Sequence, residues 1–305
     1  MRTKLYRLIG GVAYLGLVLS VPAFPVYGQA NLSGVIDIHA HTDPDVTPRS
    51  IDAIDLARVA KQRGMRGLVL KNHYESTAAQ AYLVRKEVPG IEIFGGIDLN
   101  LTVGGINPAA VEHMVHMTGG WGKVVWMPTF DSENQVRVSK ENRPFVPVAK
   151  DGHLLPAVEQ VMDLAAKYQL TLETGHSSAE EGLMIVREAK KRGVQHVVVT
   201  HAMASVVRMT IPQMREAASQ GAYIEFVYNA TLGPGNIVTI ADYAKAIRAI
   251  GPEFCILSSD LGKVGNPIHP DGMALFIEDM LKEGFSQADV DLMSKTNPVR
   301  ALGLQ

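Results

Sequence analysis

The feature that most constrains this chain is a regular alternation of short apolar runs with longer segments of helical periodicity. After residue 31 there are eight such runs, each of a length suited to one strand. Most of them lack polar–apolar alternation, which is typical of parallel strands covered on both faces. The predicted strands are Val35–His39, Gly67–Lys71, Ile91–Ile97, Lys123–Met127, Leu170–Thr174, His196–Thr200, Ala222–Tyr228 and Phe254–Ser258.

The segments between these runs have the spacing of amphipathic helices. From Glu180 to Arg192, for example, Leu183, Val186 and Ala189 recur on one face. Eight strands alternating with helices predict an α/β fold, a (β/α)₈ TIM barrel, as a single domain over residues 31–305. A doubly wound open sheet is the alternative, but no glycine-rich phosphate fingerprint follows the first strand. Glycines that we interpret as helix C-caps are Gly64, Gly193, Gly221 and Gly251.

One segment, from Asp131 to Asp151, breaks the alternation. It is polar, contains proline and has no clear periodicity. It follows the fourth strand, on the side where barrel enzymes carry their active-site loops. We interpret it either as a lid or substrate loop or as a plain surface excursion.

Residues 1–30 have the layout of a secretory signal peptide. A basic start precedes the apolar stretch Leu8–Phe24, and the small residues Gly28 and Ala30 stand at positions −3 and −1 of a possible cleavage site. An uncleaved membrane anchor is the alternative, but the apolar stretch is shorter than the roughly 20 residues that a spanning helix needs. We therefore expect a periplasmic or secreted protein with no stable membrane insertion after cleavage.

Charge and cysteine content bound the partners. Removal of residues 1–30 changes the formal charge from −2 to −5, because 26 basic residues then face 31 acidic ones. The sequence contains no basic patch of the kind that would indicate a nucleic-acid partner. Cys255 is the single cysteine, so no internal disulfide can form, and stability has to come from a large core. A small-molecule substrate is the expected partner, and a homo-oligomer is compatible with this composition.

Polar residues stand at the C-terminal ends of the predicted strands. In a parallel barrel these ends converge on one face, where catalytic groups are found. His39 and His41 point the same way, because side chains alternate at period two along a strand. Several imidazoles and a carboxylate at one point suit a borderline divalent cation such as zinc. The candidate metal ligands are His39, His41, Lys71, His176, His201 and Asp260.

The ordered set of these residues resembles the amidohydrolase superfamily. The resemblance is carried by Asp37-Ile38-His39-Ala40-His41, by a histidine after each of strands five and six, and by Ser259-Asp260. It implies a distorted barrel with one or two divalent metals. By the same resemblance, His39 and His41 would hold the more buried ion and His176 and His201 the more exposed one. Asp260 would contact the metal and the hydrolytic water.

The bridge between two metals departs from the commonest pattern of that superfamily. Binuclear members usually bridge the ions with a carboxylated lysine or a glutamate from strand four, whereas Lys123 lies at the start of that strand here. Lys71 ends strand two, and we hypothesise that its carbamate bridges two metals. The alternative is an ammonium that pairs with an acidic substrate group. Asp98 and Glu173 are weaker bridge candidates.

These residues predict an exported, metal-dependent hydrolase of a small amide, cyclic amide, ester or lactone. Asp260 is the expected general acid–base. His73, which shares a face with Lys71, and His269, in the loop after strand eight, are further catalytic candidates. Asn229, at the end of strand seven, could shape the pocket.

Three alternatives stay open at this point. The first is a mononuclear decarboxylase or hydratase of the same superfamily, in which Lys71 binds a substrate carboxylate. The second is a phosphoesterase, because the residues from Asp37 to Thr42 also resemble the opening of the PHP phosphoesterases. The third is a non-catalytic periplasmic protein that binds a metal or a ligand, although metal binding alone does not require the general base Asp260.

Overall fold

The structure, a computed structural model of the protein, describes residues 30–233 and 237–304. The predicted signal peptide therefore lies outside the described residues, except for Ala30. Within the two described ranges, no helix combines the length and the apolar character needed to cross a membrane.

Eight parallel strands and one small antiparallel hairpin form the sheets. In chain order the strands are β1 (Ile36–His41), β2 (Gly67–Lys71), β3 (Glu92–Asp98), β4 (Gly122–Trp126), β5 (Ala149–Lys150), β6 (His153–Leu154), β7 (Thr171–Glu173), β8 (His196–Val199), β9 (Tyr223–Val227) and β10 (Cys255–Ser258). Strands β5 and β6 pair only with each other. The remaining eight follow the order β1-β2-β3-β4-β7-β8-β9-β10, and every neighbouring pair is parallel.

The two ends of the eight-stranded sheet meet, so that the sheet closes. Ala40 of β1 forms a parallel bridge with Leu261, just beyond β10, and the amide of His41 donates to the Leu261 carbonyl at 3.0 Å. The amide of Asp260 donates to the His39 carbonyl at 2.9 Å. This closure confirms the predicted (β/α)₈ barrel, and each predicted strand is present with ends shifted by a few residues.

Helices connect the strands and pack outside the barrel. They are α1 (Ala53–Gln62), α2 (Ala78–Glu87), α3 (Pro108–Val115), α4 (Glu133–Val138), α5 (Pro156–Tyr168), α6 (Ala179–Lys191), α7 (Ile211–Ser219), α8 (Ile240–Ile250), α9 (His269–Lys282), α10 (Gln287–Asp291) and α11 (Asn297–Ala301). Local sequence sets their ends: Ser178 and Glu181 form a capping box at the start of α6. The predicted glycine caps are confirmed, because Gly64, Gly193, Gly221 and Gly251 follow helices with positive φ.

The barrel interior is filled by side chains and is not a channel. Eight buried apolar residues from six of its strands form this inner cluster: Ile36, Ile38, Val69, Phe94, Val124, Trp126, Val198 and Ile256. Ala301 and Leu302, at the end of α11, join the cluster. The Ala301 carbonyl accepts a hydrogen bond at 2.8 Å from Thr171, the first residue of β7. The C-terminal helix therefore closes the N-terminal end of the barrel and leaves the opposite end for a site.

The segment from residue 131 to 151 is more regular than the sequence predicts. It contains α4, whose first turn is capped by Ser132, because the Ser132 hydroxyl accepts from the amide of Gln135 at 3.0 Å. A helix of 6 residues is too short to show a periodicity in the sequence. The amide of Val146 donates to the Asp131 carbonyl at 2.7 Å and so closes the segment on itself. The Ser132 hydroxyl donates to the His176 carbonyl, just beyond β7, at 3.1 Å and holds the segment against the barrel.

Candidate metal centre

Three side chains meet at the C-terminal end of the barrel, where β1 adjoins the end of β10. His39 Nε2 and His41 Nε2 lie 3.2 and 3.3 Å from the same atom, Oδ1 of Asp260. One potential ligand atom from each of the three residues lies within 4.8 Å of the other two. Both histidines are buried, with exposed fractions of 1% and 3%, so packing holds the two imidazoles in place. His39 and His41 therefore face the same side of β1, as period-two alternation predicts, and that they bind one ion stays a prediction.

A cavity of about 580 Å³ opens above these three side chains. Five histidines border it together with Asp260: His39, His41, His73, His176 and His201. The segment from residue 131 to 151 supplies Gln135, Val138 and Ser139 to the same cavity, next to Phe130, so it is part of the site's wall. Of the two interpretations of this segment, the structure supports the one that places it over the site.

A buried carboxylate orients His39 from behind. Glu225 Oε1 lies 3.1 Å from His39 Nδ1 and accepts a hydrogen bond from the Ser258 hydroxyl at 2.6 Å. Glu225 Oε2 accepts the amide of His201 at 2.7 Å. Because an ionised carboxylate only accepts hydrogen bonds, Nδ1 of a neutral His39 carries the proton and Nε2 presents a lone pair towards Asp260.

His176 and His201 extend the histidine cluster beyond the three converging ligands. Their ring centroids are 4.8 Å apart, and the His201 ring stacks on His39 at 5.9 Å. His176 Nδ1 lies 2.8 Å from Oε1 of Gln135 in α4. The structure therefore brings both predicted ligands to the cavity, but neither belongs to the tight group of His39, His41 and Asp260.

Burial sets the charge of most of these imidazoles. It lowers the pKa of His41 and His176 well below 6.5 and that of His201 to about 4. These three rings are neutral at pH 7 and can offer a lone pair to a cation without first losing a proton. His39 differs: burial opposes its charge, but Asp260 and Glu225 outweigh burial and raise its pKa to about 9.

Asp260 is held ionised and in an unusual backbone conformation. Burial opposes its ionisation, but His39 and then His41 hold its pKa well below 3.8. Its φ of 50° is left-handed, a conformation that aspartate tolerates better than most residues and that costs on the order of 1–3 kcal/mol. The side-chain amide of Asn229 donates to Asp260 Oδ2 at 3.3 Å, so the second carboxylate oxygen has a fixed direction.

Lys71 lies below the cavity and faces a carboxylate. Its Nζ is 2.9 and 3.1 Å from the two oxygens of Asp98, and both side chains have no exposed surface. The ammonium also lies 4.1 Å from the centroid of the Trp126 ring. A carbamate on Lys71 would place a second negative charge against Asp98, so this contact favours the ammonium. The hypothesis of a bridging Lys71 therefore gains no support from its surroundings.

His73 reaches the cavity, whereas His269 does not. His73 Nδ1 lies 3.0 Å from Asp98 Oδ2, and its ring packs 4.6 Å from His41 and 4.0 Å from Phe130, measured between centroids. His269 is the first residue of α9, is fully buried and places Nε2 2.9 Å from the Leu261 carbonyl. His269 is not among the residues that border the cavity, so its catalytic role stays a prediction that the position of the side chain does not support.

Sequence comparison assigns the chain to a family. A family model described as a family of unknown function, DUF6282, matches residues 34–225, which is well over half of the chain. The chain belongs to the DUF6282 family. The matched range includes all five cavity histidines, Lys71 and Glu225, whereas Asp260 lies beyond it. None of the curated protein sequences compared with this DUF6282 chain matches it.

Solved structures with the same barrel fold cover most of the DUF6282 chain. A weak promiscuous lactonase used as a template for engineered organophosphate hydrolysis is 16% identical, with a TM-score of 0.61 over 90% of this chain and 97% of its own. An amidohydrolase from Pseudomonas aeruginosa is 15% identical, with a TM-score of 0.60 over 88% and 95%. A phosphotriesterase homology protein from Escherichia coli, complexed with phosphate in its active site, is 18% identical, with a TM-score of 0.59 over 90% and 100%. These similarities establish the amidohydrolase-like barrel fold.

Proposed function

We propose that this DUF6282 protein is an exported, metal-dependent hydrolase of a small amide, cyclic amide, ester or lactone. The observation that carries the proposal is the convergence of His39 Nε2, His41 Nε2 and Asp260 Oδ1 on one point at the floor of an open cavity. The solved structures with this fold include proteins named as a lactonase, an amidohydrolase and a phosphotriesterase homologue, which supports the same reaction class.

The donor set fits a divalent cation. Two imidazole nitrogens and one carboxylate oxygen are ligands that zinc prefers, and three protein ligands leave a coordination position open, as in catalytic zinc sites. Glu225 behind His39 is the carboxylate–histidine arrangement that orients metal ligands. Zinc is therefore the cation that we expect at His39, His41 and Asp260, and His176 and His201 border the same cavity without belonging to this group.

The bound cation would supply Lewis-acid polarisation of the scissile carbonyl and a lower pKa for water. The protein's own groups then handle the proton. Asp260 Oδ2, directed by the Asn229 amide, accepts the proton of the attacking water and returns it to the leaving group. Phe130 and Val138 form an apolar part of the wall that removes water from around the substrate.

The ion pair between Lys71 and Asp98 bears on the number of cations. With Lys71 as an ammonium, no bridging ligand is available from β2, and we propose one tightly held cation per chain. Elemental analysis of protein purified without chelators and supplied with bicarbonate tests this number. Two equivalents of metal, together with a carbamate signal in the ¹³C NMR spectrum after labelling with bicarbonate, would instead support two metals bridged by a Lys71 carbamate.

The decarboxylase or hydratase alternative loses its carboxylate-binding residue. That alternative assigned Lys71 to a substrate carboxylate, but Lys71 has no exposed surface and Asp98 already neutralises it. The hydrolase is therefore the function that the cavity supports best.

Turnover on a panel of esters, lactones and amides tests the reaction class. Asp260→Asn should lower kcat by a factor of about 100 to 10,000, the usual worth of a general acid–base. Ordinary turnover in that variant would refute the role of Asp260. The absence of metal-dependent turnover in the unmodified protein would favour the non-catalytic binding protein.

Export is a separate part of the proposal and has its own test. We propose that cleavage after Ala30 releases a periplasmic or secreted enzyme. N-terminal sequencing of the exported protein should begin at Asn31, whereas a chain that begins at Met1 would contradict cleavage.

A further inference from the structure

One arginine and one lysine border the cavity, and of these two only the arginine has an ionic partner among the described residues. Arg49 Nη2 and Nε lie 2.7 and 2.8 Å from Asp45 Oδ2, and this pair is almost completely buried. Lys263 borders the same cavity and is exposed. Within residues 30–233 and 237–304, the Lys263 ammonium has no ion pair and no hydrogen bond.

The backbone of Lys263 is fixed relative to the metal centre. The Gly262 carbonyl accepts the amide of Ser50 at 2.8 Å, and Lys263 forms an antiparallel bridge with Arg49. The Lys263 carbonyl accepts the amide of Asn266 at 3.1 Å. Lys263 stands three residues after Asp260, so their Cα atoms are at most about 11 Å apart. A small ligand can therefore reach both residues at once.

The charges around the cavity favour an anion. Asp260 is the single carboxylate among the residues that border the cavity in the described part of the chain, and it faces His39 and His41. No described carboxylate of the cavity wall is left to neutralise Lys263. The proposed cation at Asp260 adds further positive charge. An unbalanced ammonium at the mouth of a cation-containing cavity attracts negatively charged ligands.

The rest of the cavity wall favours a ligand with an apolar middle part between Asp260 at one end and Lys263 at the other. Phe130, Val138 and Ile237 border the cavity and keep 40%, 46% and 49% of their surface exposed. Exposed apolar surface at the rim of a concave site is typical of ligand-binding grooves. The cavity of about 580 Å³ lies within the size range of small-molecule sites.

We propose that the substrate carries a carboxylate and that Lys263 binds this carboxylate while the scissile carbonyl lies at Asp260. This inference rests on the proposed hydrolase function and narrows its substrates to small esters, amides or lactones that bear a carboxylate. Lys263 is the specificity-determining residue, because it selects the anionic substrate over a neutral analogue. Lys71, the earlier candidate for this task, is sequestered by Asp98.

Binding of a matched pair of product-like ligands tests the inference without turnover. Glutarate and its monoamide differ only in the charge of one end, and isothermal titration gives the affinity of each for the zinc-saturated mature protein. We expect glutarate to bind about fivefold more tightly than the monoamide at low salt, and Lys263→Gln to bring this ratio to about one. Lys150→Gln, which changes an exposed lysine of the β5–β6 hairpin, should keep the ratio of the unmodified protein.

The charge-reversed variant gives a second measurement. Lys263→Glu should prefer 5-aminovalerate, whose distal end is cationic, over glutarate. An equal glutarate preference in the unmodified protein and in Lys263→Gln would overturn the inference. Thermal unfolding of each variant checks that the exposed substitution leaves the fold intact.

Hydrolysis of the corresponding esters separates this inference from the proposed function. Monoethyl glutarate and the ethyl ester of the monoamide present the same scissile bond with and without the distal charge. Metal-dependent hydrolysis of the anionic ester with a kcat/KM preference that Lys263→Gln removes supports both proposals. If neither ester, and no substrate of the ester, lactone and amide panel, is hydrolysed while glutarate binding still depends on Lys263, the hydrolase fails and the anion site stands.

Discussion

Glu225 Oε1 lies 3.1 Å from His39 Nδ1, and this contact determines which nitrogen of His39 faces the candidate metal centre. Glu225 is fully buried on β9, and its other oxygen accepts the amide of His201. The Glu225 carboxylate thus orients the ring of His39 on β1 and also holds the backbone of His201, which follows β8. The geometry of the candidate metal centre therefore depends on Glu225, although Glu225 is not one of the three side chains that converge there.

Glu225→Gln should weaken zinc binding by a factor of about 10 to 100, the usual effect of losing the carboxylate behind a metal-bound histidine. A glutamine amide that donates to Nδ1 would place the His39 proton on Nε2, where the cation binds. Competition with a chromophoric chelator measures the affinity. Glu216→Gln, at an exposed ion pair with Arg187, is the matched control and should leave the affinity unchanged. Equal affinities in the two variants would contradict the orienting role.

Asp98→Asn should destabilise the fold by about 3–5 kcal/mol, because it leaves the buried Lys71 ammonium without its anionic partner. The double variant Lys71→Met with Asp98→Asn should recover much of that loss, since no uncompensated charge stays buried. Urea unfolding of the two variants and the unmodified protein gives the three free energies. A single Asp98→Asn that unfolds like the unmodified protein would show that Lys71 is not a buried ammonium.

Zinc should raise the free energy of unfolding, because the three ligands converge only in the folded barrel. At a free zinc concentration 100 times Kd, the expected gain is about 2.7 kcal/mol. Chelation should reverse it, and His41→Ala should abolish it. His153→Ala, at an exposed position on the β5–β6 hairpin, should keep the full gain. Thermal unfolding with and without zinc measures each difference, and a zinc effect that survives in His41→Ala would place the cation elsewhere.

It was possible to predict from the sequence that the cavity histidines and Asp260 lie close together, because the barrel topology alone brings them to one face. The C-terminal ends of parallel barrel strands converge whatever the loops do, so any polar residue at such an end reaches one face. His176, His201 and Asp260 follow this rule and border the cavity. For His39 and His41, the alternation of side chains along a strand was sufficient to predict that both point to the same side, since both lie within β1.

The residues that surround the cavity histidines and Asp260 could not be predicted in the same way. Lys71 meets Asp98 through the pairing of β2 with β3, a register that the sequence does not show. Gln135 reaches His176 from a helix too short for periodicity. His269 was predicted to lie in the loop after the eighth strand, but it is the first residue of α9, because the sequence does not show where this helix begins. Glu225 carried one overlooked signal: it is an acidic residue inside a predicted apolar strand, where burial demands a partner.

A second buried glutamate makes stability depend on pH in a way that one substitution should remove. Burial, and then the charge of Glu225, raises the pKa of Glu173 to about 8, against 4.5 for an exposed glutamate. The unfolded chain loses this proton above about pH 4.5, whereas the folded chain keeps it until about pH 8. The free energy of unfolding therefore falls as pH rises between these values, by up to about 1.4 kcal/mol per pH unit.

Glu173→Gln removes the ionisation and keeps an oxygen for the Thr200 hydroxyl, which donates to Glu173 Oε2 at 3.0 Å. The variant should gain stability over the unmodified protein as pH rises, by a total on the order of a few kcal/mol between pH 5 and pH 8. Urea unfolding of both proteins at the two pH values, with a chelator present throughout, measures this difference without a contribution from bound metal. Glu216→Gln should show no such trend, and a pH-independent difference for Glu173→Gln would mean that Glu173 is ionised in the folded barrel.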